Sequence, residues 1–537
     1  MSRLPRPVRL AVDAVVILAI LVGAGVALAK VTGGQATPRT TTPPPQSPGV
    51  NPIAAENQKL GTTDWRITNI AASAGIEGYA SQVSAQKGDA VTLYVSTSAA
   101  SFTVQAYRMG YYGGLGARLV WQSPPEKGSL QAAPTVQNGT KMVTAAWRAS
   151  LTVHIDAAWT PGDYLLKLVG KGGQQRYVPL TVVDYASRAP LLVVNAVTTW
   201  EAYNNWGQYN LYNGPDQSFA SRSRIVSFDR PYASAGSASD AQDGSVGDGS
   251  GDFLGDEFPL VYFAESYGLN VTYFTDVDLD THGAQLASRH AGIITLGHDE
   301  YWTAGMRSAV TGALAKGVNL AFLGANAMFR QIRLQAAPSG PADREIVDYK
   351  VASEDPLNGK DDAHVTVNWR DPPVSQPESS VIGQLFECNP ATQAPGVVVD
   401  AGAWLFADTG LANGDALPNL IGPWYDRVNL AYPTPPNLEV LMHSPVTCPG
   451  VGASDSDMTY YAAPSGAGVL ATGTTGWVCE LTASCVQDPR THPDPRILQA
   501  TKNLLIAFGS GPAGEAYPST SNLAALGIAG AQPARSP

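Results

Sequence analysis

One stretch, residues 289–333, constrains the fold of this chain more than any other. Ile293–Leu296 is a short apolar run rich in β-branched residues, which is typical of a strand buried on both faces. Residues 303–316 have apolar side chains at helical spacing, and Thr303 is placed to cap the first turn. A second apolar run follows at residues 318–323. Because strands joined by a right-handed crossover are usually neighbours in a parallel sheet, the sequence predicts an α/β domain here.

Polar side chains follow both of these predicted strands where each strand ends. His298, Asp299 and Glu300 follow the first strand, and Asn326 follows the second. In open α/β sheets, ligands bind in the crevice at this edge. Because alternate residues of an extended chain face the same way, we expect His298 and Glu300 to point together and Asp299 to point away. The alternative is that Asp299 only caps the following helix and that its neighbours are solvated.

More strands are predicted to end at the same edge of the sheet. Residues 191–195 form a continuous apolar strand, and residues 270–274 form another after a helix at residues 258–267. Asp276 and Asp278 follow the second of these strands. All of these strands should therefore deliver polar or aromatic side chains to one crevice.

The segment before this domain, residues 61–184, has the pattern of a β-sandwich. Short alternating runs such as residues 91–95 and 102–107 are separated by turn residues, and no long helical pattern appears. Arg108–Gly114 is an aromatic, glycine-rich loop within this segment. We interpret the loop either as a tight turn packed on the sheet or as an edge that binds a sugar, a partner or the next domain.

The N-terminal residues 1–29 are predicted to be a signal peptide or a membrane anchor. Arg3, Arg6 and Arg9 precede an uncharged apolar run that ends in a small-x-small cleavage pattern. An uncleaved transmembrane anchor with its positive end inside is the alternative. A linker rich in Thr and Pro follows at residues 30–60. Both interpretations predict an exported protein, either extracellular or held at the cell surface.

Export makes disulfides the favoured state of the cysteines. The expected pairs are Cys388 with Cys448 and Cys479 with Cys485, although other pairings are open on the sequence alone. A zinc site is less favoured because no C-x-x-C spacing occurs.

Charge and missing motifs narrow the function. The net charge of −11 and the lack of a basic stripe argue against a nucleic-acid partner. Nucleophilic triads and dinucleotide binding have little support, because the chain has neither a G-x-S-x-G turn nor a G-x-G-x-x-G turn after a strand. The predicted strand ends and the nearby segments are instead rich in oxygen donors: Tyr203, Tyr209, Tyr212, Tyr232, Asp276, Asp278, Asp299, Glu300 and Tyr301.

The tyrosines allow a specific metal chemistry. A phenol has a pKa near 10 and must lose its proton to become a metal ligand, which requires a strong Lewis acid such as ferric iron. Aromatic packing is the alternative role for these side chains.

Several ordered motifs together resemble one protein family. They are YRMGYYGG at residues 107–114, AYNNWG at 202–207, SFDRPY at 227–232, GHDEYW at 297–302 and GAN at 324–326. In this combination they are similar to the large (β) subunit of N,N-dimethylformamidase and its relatives, over roughly residues 76–508.

The resemblance implies a fold and a metal site. The implied fold is multidomain, with a β-sandwich followed by an α/β three-layer domain similar to the glutamine-amidotransferase-like fold. The implied cofactor is one ferric iron (Fe3+) held by two tyrosines and one glutamate. Glu300 matches the glutamate, and Tyr203 and Tyr232 lie in the two motifs that match best, with Tyr212 in reserve.

The resemblance also implies catalytic residues. His298 matches the histidine beside the iron ligands, and Asn326 matches the active-site asparagine. The family's other catalytic glutamate corresponds to Glu439 or Glu480. The chain departs from the family pattern in its export signal and in showing no sign of the small partner subunit, and its oligomeric state is open.

These expectations combine into one function and one domain plan. The expected function is an exported, metal-dependent amidohydrolase that hydrolyses the C–N bond of a small or substituted amide. The alternative is a non-catalytic cell-surface protein that binds a glycan or a protein. The expected segments are a signal peptide or anchor at 1–29, a linker at 30–60, a β-sandwich at 61–184, a catalytic domain at 185–512 and a C-terminal tail at 513–537.

Overall fold

The computed structural model describes residues 51–70, 75–233, 249–337, 340, 342–390, 392–482 and 493–528. All of these residues belong to one compact unit. The signal peptide or anchor expected at residues 1–29 lies outside the described residues. Among the helices that are described, none is both long enough and apolar enough to cross a membrane.

Two sheets with a shared core form the first part of the chain. Their strands are β1 (Ile76–Ala80), β2 (Ser84–Gln86), β3 (Ala90–Thr97), β4 (Ser101–Met109), β5 (Ala117–Gln122), β6 (Glu126–Lys127), β7 (Thr135–Val136), β8 (Val143–Thr144), β9 (Leu151–His154), β10 (Gly162–Gly170) and β11 (Gln175–Val183). One sheet has the order β1-β3-β9, and the other has the order β2-β11-β10-β4-β5 with β6 beside β4. Val91 and Leu93 of the first sheet and Val104 and Leu166 of the second are buried in the same apolar cluster. This is the packing of a β-sandwich.

A larger, mixed sheet follows. The strands after the sandwich are β12 (Leu191–Asn195), β13 (Ile225–Ser227), β14 (Val271–Thr275), β15 (Gly292–His298), β16 (Tyr301–Thr303), β17 (Asn319–Ala325), β18 (Arg330–Gln335), β19 (Glu345–Val347), β20 (Leu385–Cys388), β21 (Ala394–Val397), β22 (Ala416–Ile421), β23 (Tyr425–Arg427), β24 (Glu439–Cys448), β25 (Gly452–Ala462) and β26 (Gly468–Ala471). The seven-stranded sheet has the order β14-β12-β15-β17-β26-β25-β24. Its strands from β14 to β26 are parallel, and β25 and β24 extend it in antiparallel alignment.

Helices cover both faces of this sheet. The helices are α1 (Pro52–Glu56), α2 (Val197–Tyr203), α3 (Ser250–Asp252), α4 (Phe258–Ser266), α5 (Asp276–His282), α6 (Ala304–Leu314), α7 (Ser379–Ile382), α8 (Gly476–Cys479), α9 (Pro495–Gly509) and α10 (Ala513–Ala516). Side chains of α4, α8 and α9 share a core with Val193 and Ile294, whereas those of α5 and α6 share another with Val194 and Ile293. Because neighbouring residues of one strand enter opposite cores, the parallel strands are apolar on both faces.

The predicted strands and crossover helix are confirmed. The runs at 191–195, 270–274, 293–296 and 318–323 are β12, β14, β15 and β17, which are neighbours in the parallel part of the sheet. The Thr303 hydroxyl caps α6 by accepting the N–H of Met306 at 3.0 Å. The carboxyl ends of these strands therefore lie along one edge.

The Arg108–Gly114 loop packs between the sandwich and the α/β layers. Arg108 pairs with Glu265 of α4 at 2.7 Å, and both side chains are fully buried. The Tyr112 hydroxyl donates to Glu56 at 3.0 Å, and the Tyr111 ring lies edge-on to Tyr262. The first part of the loop therefore packs against the next layer of the fold, whereas Gly113 and Gly114 at its tip are exposed.

One expected disulfide is present in the described residues. Cys388 at the end of β20 is bonded to Cys448 at the end of β24, which confirms that pair. Cys479 is also disulfide-bonded, and Cys485, its expected partner, lies outside the described residues.

Candidate active site

Two tyrosine phenols converge on the carboxylate of Glu300, just beyond the carboxyl end of β15. The Tyr203 hydroxyl donates to Oε2 of Glu300 at 2.7 Å, and the Tyr212 hydroxyl lies 2.9 Å from Oε1. The two phenol oxygens are 2.8 Å apart, and the rings stack with their centroids 4.7 Å apart. We call these three side chains, Tyr203, Tyr212 and Glu300, the phenol cluster.

The order of the strands brings the phenol cluster together. Tyr203 ends α2, which follows β12, and Glu300 follows β15, the neighbour of β12 in the sheet. The backbone N–H of Glu300 donates to the hydroxyl of Thr199 in α2 at 3.0 Å, which ties the two segments directly. Tyr212 reaches the cluster because the chain after α2 reverses, and the N–H of Leu211 donates to the carbonyl of Ala202 at 3.1 Å.

The imidazole of His298 lies beside Glu300. Its Nε2 is 3.2 Å from Oε2 of Glu300 and 3.0 Å from the side-chain amide of Asn326. Its ring also stacks on Trp424 with the centroids 4.3 Å apart. His298 and Glu300 therefore point together, as the alternation of an extended chain predicts.

The hydrogen bonds around Nε2 of His298 fix the orientation of the Asn326 amide. A carboxylate only accepts hydrogen bonds, so the contact with Glu300 requires a proton on Nε2. Because this N–H can only donate, we assign the Asn326 side-chain atom that lies beside it as the amide oxygen, which accepts a hydrogen bond. The NH2 of Asn326 then occupies the buried position that has no partner in the described residues. It is free to donate to a bound molecule.

The backbone at the ends of β15 and β17 is adapted to this contact. A Cβ atom on Gly324 would lie 1.8 Å from the carbonyl oxygen of Gly297, so only glycine allows the two strand ends to approach this closely. Asn326 has a left-handed backbone with a φ of 59°, and its N–H donates to Asp426 at 2.8 Å. Strain of this kind persists where surrounding contacts hold it, and it is frequent at functional sites.

Asp299 is turned away from the phenol cluster, as expected. One of its carboxylate oxygens accepts from the indole N–H of Trp302 at 2.9 Å. Burial, followed by the nearby carboxylate of Asp276, raises its pKa well above the ordinary value. Asp299 therefore stabilises the local fold through Trp302 and does not face the phenol cluster.

Tyr301 and Lys350 extend the phenol cluster on the side away from His298. The Tyr301 hydroxyl is 2.6 Å from that of Tyr212, and the Lys350 ammonium donates to the Tyr301 hydroxyl at 2.7 Å. The same ammonium lies 4.0 Å from the centre of the Tyr212 ring, in a cation–π contact. Tyr301 is among the oxygen donors expected from the sequence, but no sequence motif points to Lys350. The left-handed backbone of Lys350, with a φ of 60°, is visible only in the structure.

The protonation states of the phenol cluster follow from its environment. Burial alone would raise the pKa of Glu300, but the hydrogen bond from His298 and the charge of Lys350 lower that pKa to about 2. Burial and the Glu300 charge raise the pKa of Tyr203 and of Tyr212 well above the ordinary value. Burial lowers the pKa of Lys350 to about 8. The metal-free cluster therefore contains one carboxylate and two neutral phenols at neutral pH.

The donor set of the phenol cluster fits a small, highly charged cation. Within the described ranges, no group of three or more His, Cys, Asp and Glu side chains is placed to hold a metal ion, so a metal here requires the phenols. The closest oxygens of Tyr203, Tyr212 and Glu300 are 2.7 to 2.9 Å apart. Oxygen ligands that each lie about 2 Å from one ion are separated by about this distance.

No hydrogen bond between described residues joins Tyr232, one of the two expected tyrosine ligands, to Tyr203, Tyr212 or Glu300. The ring of Tyr232 packs against Gly249 and lines a small pocket with Trp200 and Arg344. Tyr212, the reserve candidate, takes the place expected for Tyr232.

The two candidates for the family's other catalytic glutamate also lie elsewhere. Glu439 faces Tyr460 across β24 and β25, and Glu480 lies at the end of α8. Among the described residues, neither contacts the phenol cluster. Trp424 and Asp426 are the groups that reach the site from this C-terminal part of the chain.

Comparison with known proteins gives one match. The model of the family described as N,N-dimethylformamidase beta subunit-like, C-terminal, matches residues 103–491, which include every residue of the site above. None of the curated proteins matches this chain.

Proposed function

We propose a function from the premise that this chain belongs to the N,N-dimethylformamidase beta subunit-like family, as its matched family model shows. The proposed protein is a metal-dependent amidohydrolase that hydrolyses the C–N bond of a small or substituted amide. Its metal is one ferric iron held by Tyr203, Tyr212 and Glu300. The observation that carries the proposal is the convergence of two phenols on Glu300 beside His298 and Asn326.

The residues of the site divide the reaction between them. When bound, ferric iron supplies Lewis acidity, which favours attack of water on an amide carbonyl. Asn326 donates from its free NH2 to the carbonyl oxygen as negative charge develops there. Nδ1 of His298 is buried and has no partner in the described residues, so it is the atom that takes the proton of the attacking water. Glu300 accepts from Nε2–H and stabilises the imidazolium that forms, and the imidazolium then returns the proton to the amide nitrogen as the C–N bond breaks.

The burial of the site supports a small substrate. Glu300 and His298 are each 1% exposed and Asn326 is 3% exposed. Trp424 covers one face of the imidazole. A closed site of this kind excludes bulk water and strengthens the hydrogen bonds and charges within it. We therefore expect the substrate to be a compact amide rather than a polymer.

Two expectations from the sequence stay within the proposal. Export to the cell surface or the medium rests on the sequence of residues 1–60, and fractionation of cells is its test. The glutamine-amidotransferase-like fold rests on the family resemblance. Helices on both faces of a mainly parallel sheet support it.

The decisive experiment combines metal analysis with an amidase assay. Protein prepared with iron should carry about one iron per chain, show a tyrosinate-to-iron absorption band and hydrolyse small amides. Tyr212→Phe should bind iron much more weakly and show a weaker, shifted band, because Tyr203 remains as the one phenolate. Tyr232→Phe is the matched control. It removes one tyrosine hydroxyl within the matched residues 103–491 and leaves Tyr203, Tyr212 and Glu300 in place.

Two results would end the proposal. One is iron-supplemented wild-type protein that is colourless and free of metal. The other is amide hydrolysis that survives removal of the phenols. The non-catalytic cell-surface alternative would then lead, although Arg108 and Tyr112 of the aromatic loop that suggested it are buried in contacts with Glu265 and Glu56.

A further inference from the structure

We infer that Arg230 is the residue that positions Tyr203 and Tyr212 against each other. This inference rests on the proposed function, because it assigns a further residue to the same site. Arg230 lies in the SFDRPY motif, whose tyrosine does not reach the cluster.

The segment between the two tyrosines needs hydrogen-bond donors for its backbone carbonyls. Residues 204–211 leave the end of α2, reverse direction and return Tyr212 to stack on Tyr203. The segment has one short 3₁₀ helix at Trp206–Gln208, in which the N–H of Gln208 donates to the carbonyl of Asn205, and no strand or α-helix. The carbonyls of Asn204, Trp206 and Tyr209 therefore need donors from elsewhere. Buried carbonyls without donors are costly, so another group must hold this turn.

The guanidinium of Arg230 provides these donors. Its Nη2 donates to the carbonyl of Asn204 at 3.0 Å, and its Nη1 donates to the carbonyls of Trp206 at 3.0 Å and Tyr209 at 2.9 Å. Its Nε donates to the carboxylate of Glu201 in α2 at 2.6 Å. One planar cation thus binds the helix that ends in Tyr203 and three carbonyls of the turn that leads to Tyr212.

Burial makes this arrangement specific for arginine. The side chains of Arg230 and Glu201 are both fully buried, so each needs the charge of the other. Lysine has three donors on one nitrogen, and it cannot reach four acceptors spread around a planar fork. Arg230 touches neither Tyr203 nor Tyr212 through its side chain and acts on them only through the turn.

A second buried arginine provides a matched control. Arg108 and its partner Glu265 are both fully buried, as Arg230 and Glu201 are, and Arg108 also donates to the carbonyls of Met109 and Pro161. None of these partners belongs to the turn or to the phenol cluster. Arg108→Lys should therefore reproduce the general cost of losing a buried guanidinium without moving the phenols.

The experiment compares Arg230→Lys with Arg108→Lys in two measurements. In iron-loaded protein, Arg230→Lys should lower iron affinity by about 10- to 100-fold and shift the tyrosinate band, as changes around metal ligands typically do. In metal-free protein, amides of residues 204–213 should exchange hydrogen faster in Arg230→Lys. Arg108→Lys should change neither quantity. If Arg230→Lys does not fold, Glu201→Gln weakens the same clamp and should give the same pattern with a smaller amplitude.

Each outcome decides the inference. Arg230→Lys with wild-type exchange over residues 204–213 overturns it, as does wild-type iron affinity with an unshifted band. If the wild-type protein binds no iron, the proposed function fails. The exchange measurement then decides alone whether Arg230 holds the turn. Faster exchange in both lysine variants would show only general destabilisation and would also overturn the inference.

Discussion

Replacing Tyr212 by phenylalanine should reduce by one the number of protons that the protein releases when it binds ferric iron. The reason is the charge state of the metal-free site. Tyr203 and Tyr212 are neutral phenols with pKa values raised by burial and by Glu300, whereas Glu300, with its pKa lowered to about 2, is already ionised. Only the phenols must therefore give up a proton to become ligands.

The size of this effect follows from proton linkage. Each phenol deprotonated on binding makes the affinity rise about tenfold for each unit of pH, so two phenols give about 100-fold and one gives about tenfold. At pH 7, ionising even an ordinary phenol with a pKa near 10 costs about 4 kcal/mol, and the raised pKa values here increase that cost. Proton release from any group other than Tyr212 is common to both proteins, so the comparison depends on the difference of one.

The measurement is competition with a chelator of known affinity across about pH 6 to 8, a range below the phenol pKa values. Proton release into a weakly buffered solution, read with an indicator dye, gives an independent count. Tyr203→Phe should match Tyr212→Phe, and Tyr232→Phe should match the wild type. The reasoning is refuted if Tyr212→Phe keeps the wild-type slope, or if Tyr232→Phe loses one proton.

Other perturbations test the surroundings of the site. Burial raises the pKa of Asp163 to about 7, and its Oδ2 has no partner in the described residues. The folded state therefore holds a proton that the unfolded chain loses near pH 4, and stability falls by about 4 kcal/mol as pH rises from about 4 to about 7. In thermal unfolding, Asp163→Asn should gain stability over the wild type at pH 8 and little at pH 4; an equal gain at both would contradict this. Cys388→Ser with Cys448→Ser opens a loop with a sequence separation of 60 and should cost about 4 kcal/mol in urea unfolding, whereas an unchanged midpoint would contradict it. Lys350→Met removes the ammonium beside Tyr301 and Tyr212 and should weaken iron binding roughly tenfold with a shifted band, and an unmoved band would assign Lys350 to packing alone.

The sequence predicted the framework of the site because that framework is local. Each strand of the parallel sheet is a continuous apolar run, and its position in the chain sets where its carboxyl end delivers side chains. Alternation along one extended segment was enough to place His298 with Glu300 and to turn Asp299 away. Asn326 followed from the neighbouring strand in the same way.

The rest of the site depends on contacts between distant parts of the chain. Tyr212 follows one recognisable motif and Tyr232 ends another, and nothing local distinguishes a phenol that folds back onto Tyr203 from one that packs against Gly249. Trp424 and Asp426 lie about 100 residues after Asn326 in the sequence, Asp426 within β23 of the two-stranded sheet and Trp424 just before this strand. The sequence also did not predict the antiparallel extension of the sheet by β24 and β25, because no sequence pattern indicates which edge of a sheet a later hairpin joins.

The buried pair of Arg108 and Glu265 limits how this protein can be divided. The gap between β11 and β12 looks like a natural place to begin a shorter gene, since every residue of the site follows it. A fragment that began there would keep Glu265 without Arg108, and Asp278 without the Ser84 hydroxyl that donates to it at 2.6 Å. Leaving one member of a buried ion pair unmatched costs about 3 to 5 kcal/mol, a large share of the stability of an ordinary domain. The sandwich thus stabilises the α/β layers, and recombination that exchanged it for an unrelated module would have to supply a new cation for Glu265.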